Sequence, residues 1–281
     1  MINRTFVLDS RYPDCTLTTY VHDASPEMPR TGRRAIIVCP GGGYEMLSDR
    51  EAEPIAMVYY AAGLNVFVLR YSIKEKAAGD APLVEAALAV RYVRTHAGDL
   101  CVDPDYVFVT GFSAGGHLAA MCGTLWNAPV VRDQLGIESG DTPEGINRPT
   151  ATVLCYPVIS GGPFAHRGSI DWLCGGPSEG TVGAERYSME LHVDATTSPA
   201  FVWHTYNDTC VPIQNSLLYV NALAAAGVPF EYHVYPDGIH GLALANAETS
   251  PMEGDISSPW INPVAEGWIR EAVRYVLHFK A

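Results

Sequence analysis

The chain has 281 residues, 48% of them hydrophobic, and a formal charge of −13. That apolar content builds a sizeable core and excludes a disordered chain. The acidic balance argues against nucleic acid or an anionic membrane as a partner, and no run of about 18 apolar residues is present to span a bilayer.

The first residues, MINRTFVLDSRYP, hold no long apolar stretch, so no signal peptide is expected. Seven cysteines are scattered, at 15, 39, 101, 122, 155, 174 and 210, with no CxxC pair. A reducing, cytoplasmic setting fits them best. The length suits one α/β domain over 1–281 with a large sheet.

Residues 5–8 and 16–21 read as two short strands around a turn at Tyr12, Pro13 and Asp14. In the second, Leu17, Thr19 and Val21 alternate with Thr18 and Tyr20, as on a half-exposed antiparallel pair. Residues 35–39 (AIIVC) form a continuous apolar run, the pattern of a strand buried on both faces. Pro40, Gly41, Gly42, Gly43 and Tyr44 follow at once. Three glycines after a buried strand let the backbone turn sharply and aim N–H groups into a cleft. A flexible turn or a phosphate loop is the alternative, but no Gly-Lys-Ser/Thr follows.

Residues 48–62 read as a helix interrupted in phase at Pro54 and stopped by Gly63, and 64–69 as the next buried strand. Residues 82–97 form a helix with Leu83, Ala86, Ala87, Val90 and Val93 on its apolar face. Asp103 and Pro104 are expected to break the chain before a strand ending near Val109. Strands follow at 151–156, 200–206 and 230–235, with helices at 213–226 and 264–279. The alternation predicts a mostly parallel sheet of about eight strands with helices on both faces. Two long stretches interrupt it, 127–149 and 160–198. Both are expected as cap-like insertions over the functional edge, since long loops tend to be functional.

The chemistry concentrates at residues 106–118, YVFVTGFSAGGHL. Gly111 and Gly115 bracket Ser113 between a strand and a helix. A serine at so tight a turn needs glycine neighbours, because side chains there would collide with strand and helix. The helix N-terminus behind it favours an oxyanion. The motif alone arises by chance in many chains, so its partners decide. Asp208 follows the strand at 200–206, and His240 lies in a glycine-flanked loop after the strand at 230–235. Each alone has a plainer reading, a helix cap for Asp208 and a loop histidine for His240. Together they give the order Ser, Asp, His on successive strand ends. Asp237 reads as a turn residue. His117 is expected to point away from the serine and order a neighbouring loop. His96, His166, His192, His204 and His233 lie less suitably. No metal-ligand spacing is present, and neither a metal nor a cofactor is expected.

At this point the chain resembles an α/β-hydrolase. More narrowly, it resembles the bacterial esterase/lipase-like branch related to acetyl xylan esterases and hormone-sensitive-lipase-type carboxylesterases. The resemblance rests on CPGGGY at 39–44, LRYS at 69–72, GFSAGGHLAA at 111–120, YNDTCVP at 206–212 and DGIHG at 237–241. It implies a small loop-rich cap and a catalytic triad of Ser113, Asp208 and His240. It also implies an oxyanion hole from the N–H groups of Gly42, Gly43 and Ala114, with Pro40 standing where the lipase motif has histidine. A short-acyl ester is the implied substrate, perhaps acetyl on a plant-derived sugar, either a small molecule or an oligosaccharide. Tyr44, Tyr71 and Trp172 are candidates for its binding wall, with core packing as the alternative; Trp203 reads as core. An arylformamidase-like amide hydrolase and a non-catalytic binding protein on the same fold are the alternatives. A homo-oligomer is left open.

Overall fold

The computed structural model describes residues 1–30, 32–137, 140 and 142–280. In chain order come β1 (Ile2–Val7), β2 (Thr16–Val21), β3 (Arg33–Cys39), a 3-10 turn (Asp49–Glu51), α1 (Glu53–Ala61), β4 (Asn65–Arg70), a 3-10 turn (Lys74–Ala77) and α2 (Ala81–Thr95). Then follow β5 (Val102–Phe112), α3 (Ala114–Thr124), α4 (Pro129–Gln134), β6 (Thr152–Cys155), α5 (Arg167–Cys174) and α6 (Val182–Arg186). The chain closes with β7 (Ala200–Thr205), α7 (Gln214–Ala225), β8 (Phe230–Tyr235) and α8 (Trp268–His278).

Among the described residues, eight strands form one sheet in the order β1-β2-β4-β3-β5-β6-β7-β8. β1 and β2 join antiparallel, and β2 meets β4 antiparallel. Every other pairing is parallel. Strand side chains alternate between faces, and β3 serves two cores. Ala35, Ile37 and Cys39 lie in the core under α2 and α3, while Ile36 and Val38 lie in the core shared with α1 and α8. That double burial is why residues 35–39 are apolar without alternation. Parallel pairing also brings the C-terminal ends of β3, β5, β6, β7 and β8 to one rim, the edge where open α/β sheets bind ligands.

Several expectations are corrected. Pro54 does not interrupt a helix. It sits in the first turn of α1, where its missing N–H has no intrahelical partner to lose. The residues before it form the separate 3-10 turn. Asp103 and Pro104 do not break the chain either. They lie inside β5, and a register shift opposite residues 33–35 absorbs the irregularity. The last helix begins at Trp268, because the Asn262 side chain accepts the N–H groups of Val264 and Ala265 and holds a turn there.

The two insertions part company. Residues 138, 139 and 141 of the stretch 127–149 lie outside the described residues. The rest of that stretch follows α3, which carries the chain back to the starting edge of the sheet. There Arg94, at the end of α2, donates to the carbonyls of Gly145 and Ile146, and Thr150 bonds the start of β5 at Asp105 and Val107. This stretch is remote from the active rim and does not cover it. The stretch 160–198 leaves the C-terminal end of β6 and does lie on that rim. It is more helical than expected, carrying α5 and α6.

Candidate active site

Ser113 occupies the turn between β5 and α3 with φ 53° and ψ −116°, a backbone conformation that L residues rarely adopt. Packing enforces it. A Cβ on Gly111 would stand 1.9 Å from the carbonyl oxygen of Gly115, and one on Gly115 would stand 2.1 Å from that of Cys39. The Ser113 N–H donates to the Cys155 carbonyl at 3.0 Å, and its own carbonyl accepts from Val158 and His117. The turn is therefore sewn to the end of β6 and to its own helix.

The structure brings Ser113, Asp208 and His240 together. His240 Nε2 lies 2.8 Å from Ser113 Oγ, and His240 Nδ1 lies 2.6 Å from Asp208 Oδ2. The other carboxylate oxygen of Asp208 accepts the N–H groups of Cys210 and Val211, each at 2.9 Å. Burial pushes the Asp208 carboxyl up, but bonds from His204 and His240, the His240 charge and the Val211 N–H outweigh it. Together they hold the group well below the usual carboxylate range. A fixed anion on Nδ1 leaves Nε2 free to take a proton from the serine.

Beside them the glycine loop turns through positive φ at Gly42 (128°), Gly43 (68°) and Tyr44 (58°). Gly41 lies so close beneath the serine that a Cβ there would meet Phe112 O at 2.6 Å and Ser113 Cβ at 3.0 Å. Its N–H is committed to Glu51 Oε2 at 2.9 Å. The N–H groups of Gly42, Gly43 and Ala114 have no acceptor among the described residues.

The proposed binding wall does not assemble. Tyr44 is fully buried, its hydroxyl held by His117 Nδ1 at 3.0 Å. Tyr71 is buried and donates to the Pro40 carbonyl at 2.6 Å, bracing the glycine loop from below. Neither offers a ring face to a ligand, because both fill the core between the loop and α3. Trp172 is half-buried and lines a cavity of about 550 Å³ with Glu75, Ala78 and Asp171; Ser113 is not among its walls. Trp203 is core, stacked on Trp268. His117 is buried and bonds the Tyr187 carbonyl in the 160–198 stretch at 2.9 Å, as its position suggested.

Three polar side chains lie near the site: the sequence sets His166 and His204 among the less suitable histidines and does not mark Glu51 at all. His204 Nε2 donates to the Val211 carbonyl at 2.9 Å and lies 3.4 Å from Asp208 Oδ2. It sits four residues before Asp208 in a strand, a spacing that carries no general signal. His166 stands over the glycine loop, its Cε1 3.5 Å from where a Gly43 Cβ would be, and bonds Ser169 through Nδ1. Burial, and then the neighbouring His240 charge, lower its pKa. Glu51 is buried beneath the loop, and burial raises its carboxyl pKa.

A serine on a strand–turn–helix elbow, at the rim of a mostly parallel sheet of eight described strands, defines the α/β-hydrolase fold. The chain belongs to the BD-FAE family, whose model matches residues 24–223. It is 31% identical over 231 residues to an acetylxylan esterase of Xylanibacter ruminicola, covering 78% of this chain and 42% of that one. Among solved structures it resembles the carboxylesterase Cest-2923 of Lactobacillus plantarum. The TM-score is 0.84 with 30% identity, covering 99% of this chain and 97% of the other. It also resembles an acetyl ester-xyloside bifunctional hydrolase of Caldicellulosiruptor lactoaceticus. There the TM-score is 0.77 with 34% identity, covering 93% and 86%. The chain spans only 33% and 42% of the first two curated relatives it matches. Among the described residues no helix is long and apolar enough to cross a membrane.

Proposed function

We propose that this chain hydrolyses short-chain acyl esters, acetyl foremost, carried on a carbohydrate. Ser113 is the nucleophile, His240 the base and Asp208 its orienting anion. The observation that carries the reading is the continuous array from Asp208 Oδ2 through His240 to Ser113 Oγ, with links of 2.6 and 2.8 Å.

Ser113 Oγ attacks the acyl carbonyl carbon as His240 Nε2 takes its proton. Asp208 holds the imidazole with its proton on Nδ1 and stabilises the imidazolium. The oxyanion accepts the N–H groups of Gly42, Gly43 and Ala114, each contributing about 3 kcal/mol by analogy with other oxyanion donors. The carbon–oxygen bond to the alcohol breaks, and His240 returns the proton to the departing oxygen. Water, deprotonated by His240, then attacks the acyl-serine; the acyl carbon–Oγ bond breaks, His240 returns the proton to Ser113 Oγ, and the acid leaves. The acetyl and sugar assignment draws on the relatives named for acetylxylan and acetyl ester–xyloside substrates.

Ser113→Ala should lower kcat on 4-nitrophenyl acetate by about 10⁵- to 10⁶-fold. Near-normal turnover would remove Ser113 from the mechanism. A series of 4-nitrophenyl esters should peak at acetate or butyrate; a maximum at octanoate or beyond refutes the short-acyl reading. Acetylated xylo-oligosaccharides measured beside the aryl esters test the sugar.

A further inference from the structure

Glu51 is an acid in the wrong place for a solvated one. It is 3% exposed, and a buried carboxylate persists only where its oxygens are matched by donors. Both oxygens are matched here, by opposite sides of the site. Oε2 accepts the Gly41 N–H at 2.9 Å, and Oε1 accepts the Tyr156 hydroxyl at 2.7 Å. The same Tyr156 oxygen accepts the N–H of Ala243 at 2.9 Å, three residues past His240. The Tyr156 ring stands edge-on to the His240 ring, with centroids 5.1 Å apart. The neighbouring Arg50 donates to the Gly241 carbonyl at 2.9 Å. The Gly41 carbonyl, for its part, accepts from Ser48 N at 2.9 Å, so both backbone polar groups of Gly41 are held by one short segment.

We propose that Glu51 is a positioning residue. Its carboxylate clamps the glycine loop to the His240 loop through Tyr156, and its negative charge favours the imidazolium that His240 becomes. This rests on the Ser113–His240 reading above.

The clamp has a directional consequence. With the Gly41 N–H turned down into Glu51, the next N–H groups, at Gly42 and Gly43, are the ones left without an acceptor beside Ser113. Without the carboxylate, the Gly41 peptide loses the bond that fixes its plane. An error of about 1 Å in such a loop costs on the order of 10²-fold in rate. The electrostatic part is separate. His240 is faced by Asp208, Glu51 and His166, and Glu51 in turn by Arg50, Tyr156, Tyr71 and Cys155. Of these, only Asp208 and Glu51 are carboxylic acids, and both Glu51 oxygens accept hydrogen bonds. Asp208 touches the ring, while Glu51 acts across Tyr156.

The test is the pH profile of kcat/KM on 4-nitrophenyl acetate for wild type, Glu51→Gln, Tyr156→Phe and Ser113→Ala. Glu51→Gln keeps the volume and loses the charge. Its amide oxygen can still accept the Gly41 N–H, so the lost charge is what it tests, and it should lower kcat about three- to ten-fold with KM within about two-fold. It should also move the acid limb of the profile to lower pH by about half a unit or more, because a nearby anion no longer favours the protonated ring. Tyr156→Phe keeps the ring against His240 and removes the bridge to Glu51 and Ala243. It should lower kcat about ten-fold. A Glu51→Gln enzyme that folds, turns over at the wild-type rate and keeps its acid limb overturns the proposal. So does one that only loses thermal stability with the limb unmoved. Should Glu51→Gln fail to fold, a Tyr156→Phe enzyme at wild-type kcat overturns it instead. Ser113→Ala separates the two readings. If it still turns over, the nucleophile is wrong; if it is dead while Glu51→Gln is normal, only the role of Glu51 falls.

Discussion

Asp208→Asn is the sharpest test of the proposed triad, because the surroundings dictate which way the new amide must face. Asp208 Oδ1 accepts two backbone N–H groups, from Cys210 and Val211. An asparagine has one acceptor oxygen, and leaving both buried donors unmatched costs more than leaving one. The oxygen therefore stays on the backbone side and the NH2 turns to His240 Nδ1. Nδ1 must then accept, which moves the ring proton to Nε2, pointing at Ser113 Oγ. A ring in that tautomer cannot take the serine proton. In a Ser-His-Asp triad the wrong tautomer costs about 10⁴-fold in kcat, or about 5 kcal/mol of barrier. The assay is kcat on 4-nitrophenyl acetate beside a thermal unfolding curve. The stability change has its own sign. The folded carboxyl titrates well below its ordinary 3.8, so it contributes stability above that value which is lost as pH falls through the folded pKa. Asp208→Asn should thus be less stable than wild type at pH 7, with the difference shrinking in acid. An Asn variant within ten-fold of wild-type kcat would refute the tautomer argument.

Two further outcomes concern buried groups away from the reacting atoms. Burial first of all pushes the Glu85 carboxyl from 4.5 up to about 7, against bonds from the Ser72 N–H and hydroxyl. Its folded pKa is raised, so the folded state binds the extra proton. Stability should decline as pH rises from about 4.5 to about 7, by about 3 kcal/mol from this group. Glu85→Gln should flatten that part of a urea-unfolding profile; an unchanged slope refutes it. His117 is held neutral by burial, its pKa pushed down to about 4. Nε2–H therefore donates to the Tyr187 carbonyl, and Nδ1 accepts the Tyr44 hydroxyl. His117→Ala leaves two buried partners unmatched, each costing about 1–3 kcal/mol. It should speed amide hydrogen exchange in 160–198 more than in the sheet; equal speeding in both would refute the tether.

The parallel sheet was legible because β3, β4, β5, β6 and β7 are buried on both faces, and that burial writes itself as unbroken apolar runs. Ser113 was legible for a different reason: Gly111 and Gly115 stand where any Cβ would meet backbone at about 2 Å. Asp208 and His240 carry no local signal of their own. They were found because strand ends are easy to locate, and the rim of a parallel sheet brings distant strand ends together. The errors have equally plain causes. Pro54 has the same one-letter appearance in the first turn of a helix as in its middle, and only the helix start separates the two. The stretch 127–149 looked like a cap because, like 160–198, it is long and was read as leaving a strand near the serine, yet it follows α3 while the other follows β6. That difference in predecessor sends them to opposite edges of the sheet.

What the sequence hid best is the polar layer beneath the site. His204 and Tyr156 sit among apolar neighbours and Glu51 in a charged run from Asp49 to Glu53, with spacings that match no periodic template. Their partners are backbone groups on other loops: Val211 O, Gly41 N and Ala243 N. A side chain that bonds a distant backbone leaves no complementary letter in the chain, since every non-proline residue offers the same N–H. Tyr44 and Tyr71 failed as binding residues on the same ground. An aromatic ring beside a glycine loop looks equally suited to a ligand or to the core, and their hydroxyls are taken by His117 and Pro40. Ser113 is therefore marked by steric demands that restrict the residue types beside it. The groups that hold the triad are marked only by burial, which appears once the loops have been brought together in space.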